Sequence, residues 1–391
     1  MPPNFLRVRD GHEARVTEGE LFFDLIYAFA ITQLSHLLLH HATLHGALET
    51  LVLWFAVWLG WQYTCWVTNW FDPDALPIRL LLFAAMALGL LMAASLPEAF
   101  GTRGLVFAIC YVALQVGRTL VVVLLLDRDH ALSANFRRMA CWLVISGAFW
   151  MAGGLAHGQL RLLLWILAVL CEYGAPMTGF FIPGLGRSHV SDWRSAEGGH
   201  IAERCQLFVI LALGESVLVT GSTLAGAGHW DIPVVIAVLV CFLGSVAMWW
   251  VYFDTSAGAA LHALTHAREP GQMAAWMHYV HVLLIAGIIV SAAADDLVIA
   301  EPDQRIGAAS GTLLLAGPAI YLLGNALYKW IIYGWLPLSH LGGLAMLAVL
   351  APIAPHTDLL MVGGLTSAVM CVVAAWESIS RRRSRRGAAP A

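Results

Sequence analysis

From residue 19 to residue 379 the sequence repeats one pattern: an apolar run about as long as a bilayer is thick, then a short break of Pro, Gly, His or charged residues. Such runs fall at 19–39, 47–70, 77–96, 104–126, 137–156, 160–182, 203–225, 232–253, 276–298, 305–328, 335–354 and 357–379. Each is near the ~20 residues that cross ~30 Å of hydrocarbon at 1.5 Å per residue. Gly and Pro interrupt the fifth, eleventh and twelfth. Composition agrees, because 60% of the 391 residues are hydrophobic and only 12% charged, against roughly 25% charged in ordinary globular proteins. A mean hydropathy of +0.75 over the chain calls for lipid on the outside and excludes a soluble, disordered or disulfide-scaffold protein. The expected fold is all-α, a polytopic membrane protein of about twelve transmembrane helices.

The polar, basic N-terminus MPPNFLRVRDGHEARVTEGE lacks an apolar core and cleavage site, so the first span is expected to serve as its own insertion signal. Cys65, Cys110, Cys141, Cys171, Cys205, Cys241 and Cys371 all lie in apolar runs without zinc-like spacing, and read as small core residues.

Basic residues set the orientation. With twelve spans, alternate loops on one side hold Arg7, Arg9, Arg15, Arg79, Arg128, Arg137, Arg138, Arg187, Arg194, Arg204, Arg268, Lys329, Arg381, Arg382, Arg383, Arg385 and Arg386. The other side holds only Arg103, Arg161 and Arg305, and Arg118 lies within a span. Both termini are therefore expected in the cytoplasm, with the chain in the plasma (inner) membrane. The RRRSRR tail acts as a topology anchor or a contact with anionic lipid. Thr17 three residues before Glu20 forms a capping-box pattern at the first span. Trp54, Trp58 and Trp61 on one helical face, and Trp66, Trp70 and Phe71 near a boundary, read as lipid-facing or belt aromatics.

An offset of 182 aligns AFAITQLS (28–35) with ILALGESV (210–217) and NWFD (69–72) with VYFD (251–254), which sets Gln33 against Glu215 and Asp72 against Asp254. The pattern predicts a parallel six-plus-six repeat: a first half at 1–182, a cytoplasmic connecting loop at 183–202, a second half at 203–380 and a basic tail at 381–391.

Ionisable groups at depth cost at least ~2.5–3.5 kcal/mol and mark candidate sites. Counted along their spans from the cytoplasmic side, Asp24 lies ~9 Å deep, Arg118 ~12 Å and Glu172 ~16 Å. The three could meet, either as a structural tie or as a gating network. Glu215, midway along its span between Gly214 and Ser216, suits a proton-coupling site or a hydrogen bond to a neighbouring helix, with Gln33 its counterpart. Glu203 and Arg204 open the seventh span, where they could pair or cap the helix. With Asp254, His278 and His281 they are the candidates for a cytoplasmic gate. His278 and His281 share a face; His262, His266 or Asp254 would have to complete a metal site, and since no HExxH-like motif is present no metal is expected. Asp295, Asp296, Glu301 and Asp303 read as a solvated helix end or a cation funnel, and Glu377 as a partner of the Arg tail.

No Walker A, GxSxG or dinucleotide fingerprint occurs, the Arg residues do not form a nucleic-acid patch, and no cofactor is expected. The residues do carry a family resemblance. VTEGELFFDLIYAFAITQLS (16–35) and ERCQLFVILALGESVL (203–218) resemble the two signature stretches of the bacterial low-temperature-requirement A family, with Glu20, Phe22, Phe23, Asp24 and Gln33 matching the first and Glu203, Leu213, Gly214, Glu215 and Ser216 the second. YFDTS (252–256) is also similar, while Cys205 and Gln206 depart from the pattern. The resemblance implies a polytopic membrane protein and brings no substrate or reaction with it. The expected function is a proton- or ion-coupled secondary transporter of a small solute in the lipid bilayer; the alternatives are a membrane-embedded lipid-modifying enzyme and a sensor or scaffold.

Overall fold

The computed structural model describes residues 5–7, 14–189, 192, 196–228, 230–254 and 270–387. Its elements are helices: α1 (Glu18–His40), α2 (Leu44–Trp70), α3 (Leu76–Ser95), α4 (Gly104–Leu125), α5 (Ala131–Leu155), α6 (Gly158–Met177), α7 (Gly198–Gly226), α8 (Ile232–Phe253), α9 (Pro270–Ala300), α10 (Ala308–Tyr333), α11 (Leu338–Leu350) and α12 (Leu359–Gly387). Among the described residues, eleven helices are long and apolar enough to cross a membrane. Many large apolar side chains point outward, Leu124 at 83% exposure and Ile232 at 77% among them, which is tolerable in lipid and not in water. The chain is a polytopic membrane protein.

The expected eleventh span, 335–354, is the exception. Its helix α11 has 13 residues, about 20 Å at the helical rise and short of the hydrocarbon thickness. The chain leaves it at Leu350, just before Pro352 and Pro355, and makes a turn and a short 3₁₀ segment. Proline cannot continue a helix at those positions.

The helix ends follow local chemistry. The Thr17 hydroxyl receives the Glu20 backbone N–H at 3.4 Å while Glu20 Oε2 receives the Thr17 N–H at 3.0 Å, the capping box expected from the sequence. Asp231 caps α8 by accepting from Val234 N, and Gly334 closes α10 in the left-handed region at φ 75°. Helix α4 contains a π-turn at Ala113–Gly117, a widened turn of the kind that recurs at functional sites.

The helices gather into two compact units. One comprises the described residues of Met1–Leu37, Leu44–Arg204 and Arg268–Ala274. Its core is aromatic: Trp58, Trp61, Trp150, Trp165, Tyr27 and Tyr111 are all fully buried. The Trp face of α2 was expected toward lipid, yet Trp54, Trp58 and Trp61 are at most 2% exposed, and Trp66, Trp70 and Phe71 are buried as well. Indoles pack inward in tilted pairs at 5.5 Å (Trp54–Trp58) and 4.8 Å (Trp58–Trp61), because lipid tails offer an apolar side chain no more than a packed interior does, and dispersion then favours the denser side. Four cysteines are buried and three half-buried, all with free thiols, in keeping with core residues.

The other unit comprises the described residues of Leu38–Thr43, Cys205–Ala267 and Ala275–Ala391. Here α9 and α10 approach backbone to backbone: a Cβ on Gly287 would stand 2.5 Å from Tyr321 N, and one on Gly317 would stand 2.8 Å from Ser291 N. Only a residue without a side chain fits such a crossing. Gly287→Ala is expected to destabilise this unit by ~1–3 kcal/mol, as overpacking does; thermal unfolding in detergent checks it, and an unchanged midpoint would mean the helices are free to separate.

Candidate functional site

In the first unit, residues four apart on α1 and on α7 bring two carboxylates to one guanidinium. Glu20 and Asp24 share a face of α1, as His200 and Arg204 do of α7. Arg204 grips Asp24 with Nε at 3.2 Å and Nη2 at 2.6 Å, and reaches Glu20 Oε1 with Nη1 at 2.9 Å. All three side chains are fully buried. Asp24 also accepts from Trp61 Nε1 at 2.6 Å, and Arg204 lies 5.9 Å from the Trp61 ring centroid. Glu20 Oε2 takes Arg7 Nη2 at 2.9 Å and the Thr17 hydroxyl at 3.0 Å. The His200 Nε2 stands 3.0 Å from Glu20 Oε1. Asn69 fixes that ring: its own amide is oriented by Glu197 N and O, at 3.0 and 2.9 Å, so Nδ2 faces His200 Nδ1 at 3.2 Å and leaves Nε2–H toward the carboxylate. Residues 5–7 are held against the end of α2 by Arg7 N to Trp70 O and Asp72 N to Phe5 O, both 2.9 Å. Two carboxylates thus face two guanidinia with every oxygen engaged, the condition under which a buried ion cluster holds together.

A second polar group lies on α2, α4, α5 and α6 of the same unit. Arg118 follows the π-turn and is 3% exposed. Its Nη1 donates to Gly60 O at 3.1 Å and Thr64 Oγ1 at 2.8 Å, its Nη2 donates to Gln115 Oε1, and it lies 5.7 Å from the Tyr63 ring centroid. All these partners are neutral. Arg118 Nε is buried and has no partner among the described residues, and the Arg118 side chain borders a water-sized cavity whose exposed lining, shared with Thr64, Thr68, Ile78 and Leu82, is apolar. From Arg118 the bonds continue in one direction. Gln115 Nε2 donates to Tyr111 Oη at 3.1 Å, and Tyr111 donates to Glu172 Oε2 at 2.6 Å. Ser146 Oγ and Trp150 Nε1 supply Glu172 Oε1 at 2.8 and 3.0 Å. Every group donates toward Glu172, so a cation at one end is polarised toward a carboxyl group at the other.

The trio expected from depth is therefore divided. Arg118 and Glu172 share a network, while Asp24 is paired with Arg204 and Trp61 instead. Arg204 neither caps α7 nor pairs with Glu203, which is exposed. Gln33 and Glu215 are each partly exposed and make no hydrogen bond or ion pair among the described residues. Tyr111, Gln115 and His200 were not among the residues expected from the sequence, although an amide three residues before an intramembrane arginine is a usable signal.

In the second unit, His281 is clamped between Tyr252 Oη at 2.8 Å and Met277 O at 2.6 Å, with Tyr252 stacked on Tyr328 at 5.4 Å. His278 is buried as well. Asp254 accepts from Ser378 at 3.3 Å and lies 3.9 Å from Arg381. His262 and His266 lie outside the described residues. Among the described residues no cluster of His, Cys and carboxylates could hold a metal ion. Glu377, expected to pair with the Arg tail, binds Lys329 and Ser339, with His340 at 3.5 Å; Lys329 reaches it from α10, where its own side chain is buried and this carboxylate is its counter-charge. Asp296 accepts from Thr223, and Asp295 is half-buried, so neither is a solvated helix end, whereas Glu301 and Asp303 are exposed.

No solved structure matches the chain. It is 36% identical, over 99% of its length and 94% of the relative's, to uncharacterized protein RA0937 of Rhizobium meliloti (strain 1021). The model of the bacterial low temperature requirement A protein (LtrA) family matches residues 15–375, which include both stretches that Arg204, Glu20 and Asp24 join. The chain belongs to the LtrA family.

Proposed function

We propose that this protein is a proton-coupled secondary transporter of a small solute bearing an anionic group. One observation supports it above the others: Arg118 is a buried guanidinium facing neutral acceptors, with Nε unused and a pocket beside it. An isolated charge in that setting costs stability, and intramembrane charges are kept chiefly where they handle substrates or protons. The cavity beside Arg118 is water-sized and apolar-lined, so a carboxylate or phosphate reaches the guanidinium only in a second state in which the packing around Arg118 opens; there it supplies the missing counter-charge and takes the free Nε–H, in the charge-assisted geometry arginine favours.

Glu172 is the proton-exchanging partner in this proposal. It senses the occupancy of Arg118 through Gln115 and Tyr111, since a solute anion that draws on the guanidinium weakens its donation to Gln115 and, in turn, Tyr111's donation to Glu172. The π-turn that carries Gln115 is the element that can change register between two states. Gln33, Glu203 and Arg204 in the first unit, and Glu215, Asp254, His278 and His281 in the second, are each further candidates for handling protons or solute. In this proposal the short helix α11 and the turn after it together make the twelfth crossing, so that both termini face the cytoplasm, and the six-helix halves 1–182 and 203–380 are the moving parts.

The test is proton flux and charge movement in proteoliposomes of the purified protein, challenged with pH jumps and a panel of organic anions, phosphate esters, amino acids and cations. A flux dependent on an anionic solute, lost in Glu172→Gln, is the expected result. Silence across the panel from folded protein, or a flux indifferent to Glu172→Gln, overturns the proposal.

A further inference from the structure

The second unit holds a polar pocket that neither the ion cluster nor the Arg118 network involves. Four helices contribute to it: Ser245 from α8, Ser291 and Asp295 from α9, Leu314 and Pro318 from α10, and Thr366 and Ser367 from α12. The lining is oxygen-rich, and the chemistry of each oxygen is set by its other bonds. Ser367 Oγ donates its proton to Val240 O at 3.1 Å, and Thr366 Oγ1 donates to Gly363 O at 3.0 Å. Both hydroxyls therefore have only lone pairs left to offer. Pro318 lies inside α10 and has no N–H for the carbonyl of Leu314 four residues back, so that carbonyl is released from the helical ladder; Leu314 and Pro318 both line the pocket. Ser291 Oγ is buried, with the residue 7% exposed, and has no hydrogen-bond partner among the described residues. It is held in place by the close crossing with Gly317. Asp295, one helical turn beyond Ser291, supplies the negative charge. Ser245 lies 3.1 Å from Ser216, the last residue of the LGES stretch.

We infer that this pocket is a binding site for a monovalent hard cation, sodium in the first instance. Hydroxyl and carboxylate oxygens select hard cations over transition metals, and the thioethers of Met248 and Met370, which also line the pocket, are poor ligands for such a cation. One carboxylate matches one positive charge, where a divalent ion would draw on more. A carbonyl that a proline frees from the ladder of the continuous helix α10 is a ligand available to the monovalent ion. A buried serine hydroxyl left without a partner is otherwise a standing cost to the fold, which a bound cation removes.

The inference stands apart from the transport proposal, because it is tested at equilibrium without any flux. Full-length protein in detergent is unfolded thermally, and titrated calorimetrically, with NaCl, LiCl, KCl or choline chloride at constant ionic strength and pH. NaCl is expected to raise the unfolding midpoint saturably by ~3–5 °C over choline chloride. Asp295→Asn, close in shape, is expected to abolish the shift, and the milder Ser291→Ala to raise the apparent Kd about tenfold, one hydrogen-bond-sized contact. Identical curves in sodium and choline, or a shift kept in full by both variants, overturn the inference; a silent proteoliposome panel with an intact sodium shift overturns only the transport proposal.

Discussion

Arg204→Leu is expected to lower the stability of the folded protein by ~3–5 kcal/mol, the range for breaking a buried ion pair from one side. The loss comes from the groups left behind. Without the guanidinium, Asp24 retains the Trp61 indole at 2.6 Å, and Glu20 retains Arg7, Thr17 and His200, so one fully buried carboxylate is left with no cation beside it. Removing the carboxylate as well should recover part of the loss: Arg204→Leu with Asp24→Leu is expected to be more stable than Arg204→Leu alone, a non-additivity that a double-mutant cycle reads directly. Tryptophan fluorescence during thermal unfolding in detergent makes the measurement. A midpoint change worth less than ~1 kcal/mol for Arg204→Leu would mean that water reaches the cluster and screens it as at a surface.

That cluster also marks where sequence reasoning succeeds and where it stops. The limits of most spans, the Thr17–Glu20 capping box and the special character of Asp24, Arg118 and Glu172 are all local properties, and are legible in the chain. The pairing of Asp24 was not. Counting residues along a helix gives depth and leaves azimuth undetermined; Asp24 faces Trp61 and Arg204, while the π-turn at Ala113–Gly117 shifts the register of everything after Gly117, including Arg118. Arg204 was counted as a loop charge because it opens a span, but the guanidinium points inward to Glu20 and Asp24. Arg161 behaves likewise, spending its donors on four carbonyls, those of Ala99, Gly101, Gly153 and Ala156. The buried Trp face of α2 escaped for a different reason: in a bilayer both the lipid side and the packed side of a helix are apolar, so hydropathy cannot tell them apart. For α11, a hydropathy window averages across Pro352 and Pro355 and misses the helix end at Leu350.

Arg118→Met is expected to give the opposite result from Arg204→Leu: little or no loss of stability, and loss of function. The two arginines are both buried in one unit, and differ in what surrounds them. Removing Arg118 strands no charge, because its acceptors are the Gly60 carbonyl, the Thr64 hydroxyl and the Gln115 amide. Each can be left with a weakened bond at ~1 kcal/mol or so, while the desolvation of an uncompensated guanidinium is relieved. Unfolding in detergent is therefore expected within about 1 kcal/mol of the parent, or above it. Flux of the anionic solute in proteoliposomes is expected to fall at least 100-fold, since in the proposed function the charge-assisted contact with Arg118 is the main hold on the solute and a thioether cannot replace it. Arg118→Lys keeps the charge without the fork and should retain measurable flux at a much higher KM. If instead Arg118→Met unfolds as readily as Arg204→Leu while any flux per folded molecule survives, Arg118 is a structural tie, and the solute site has to be sought elsewhere in the chain.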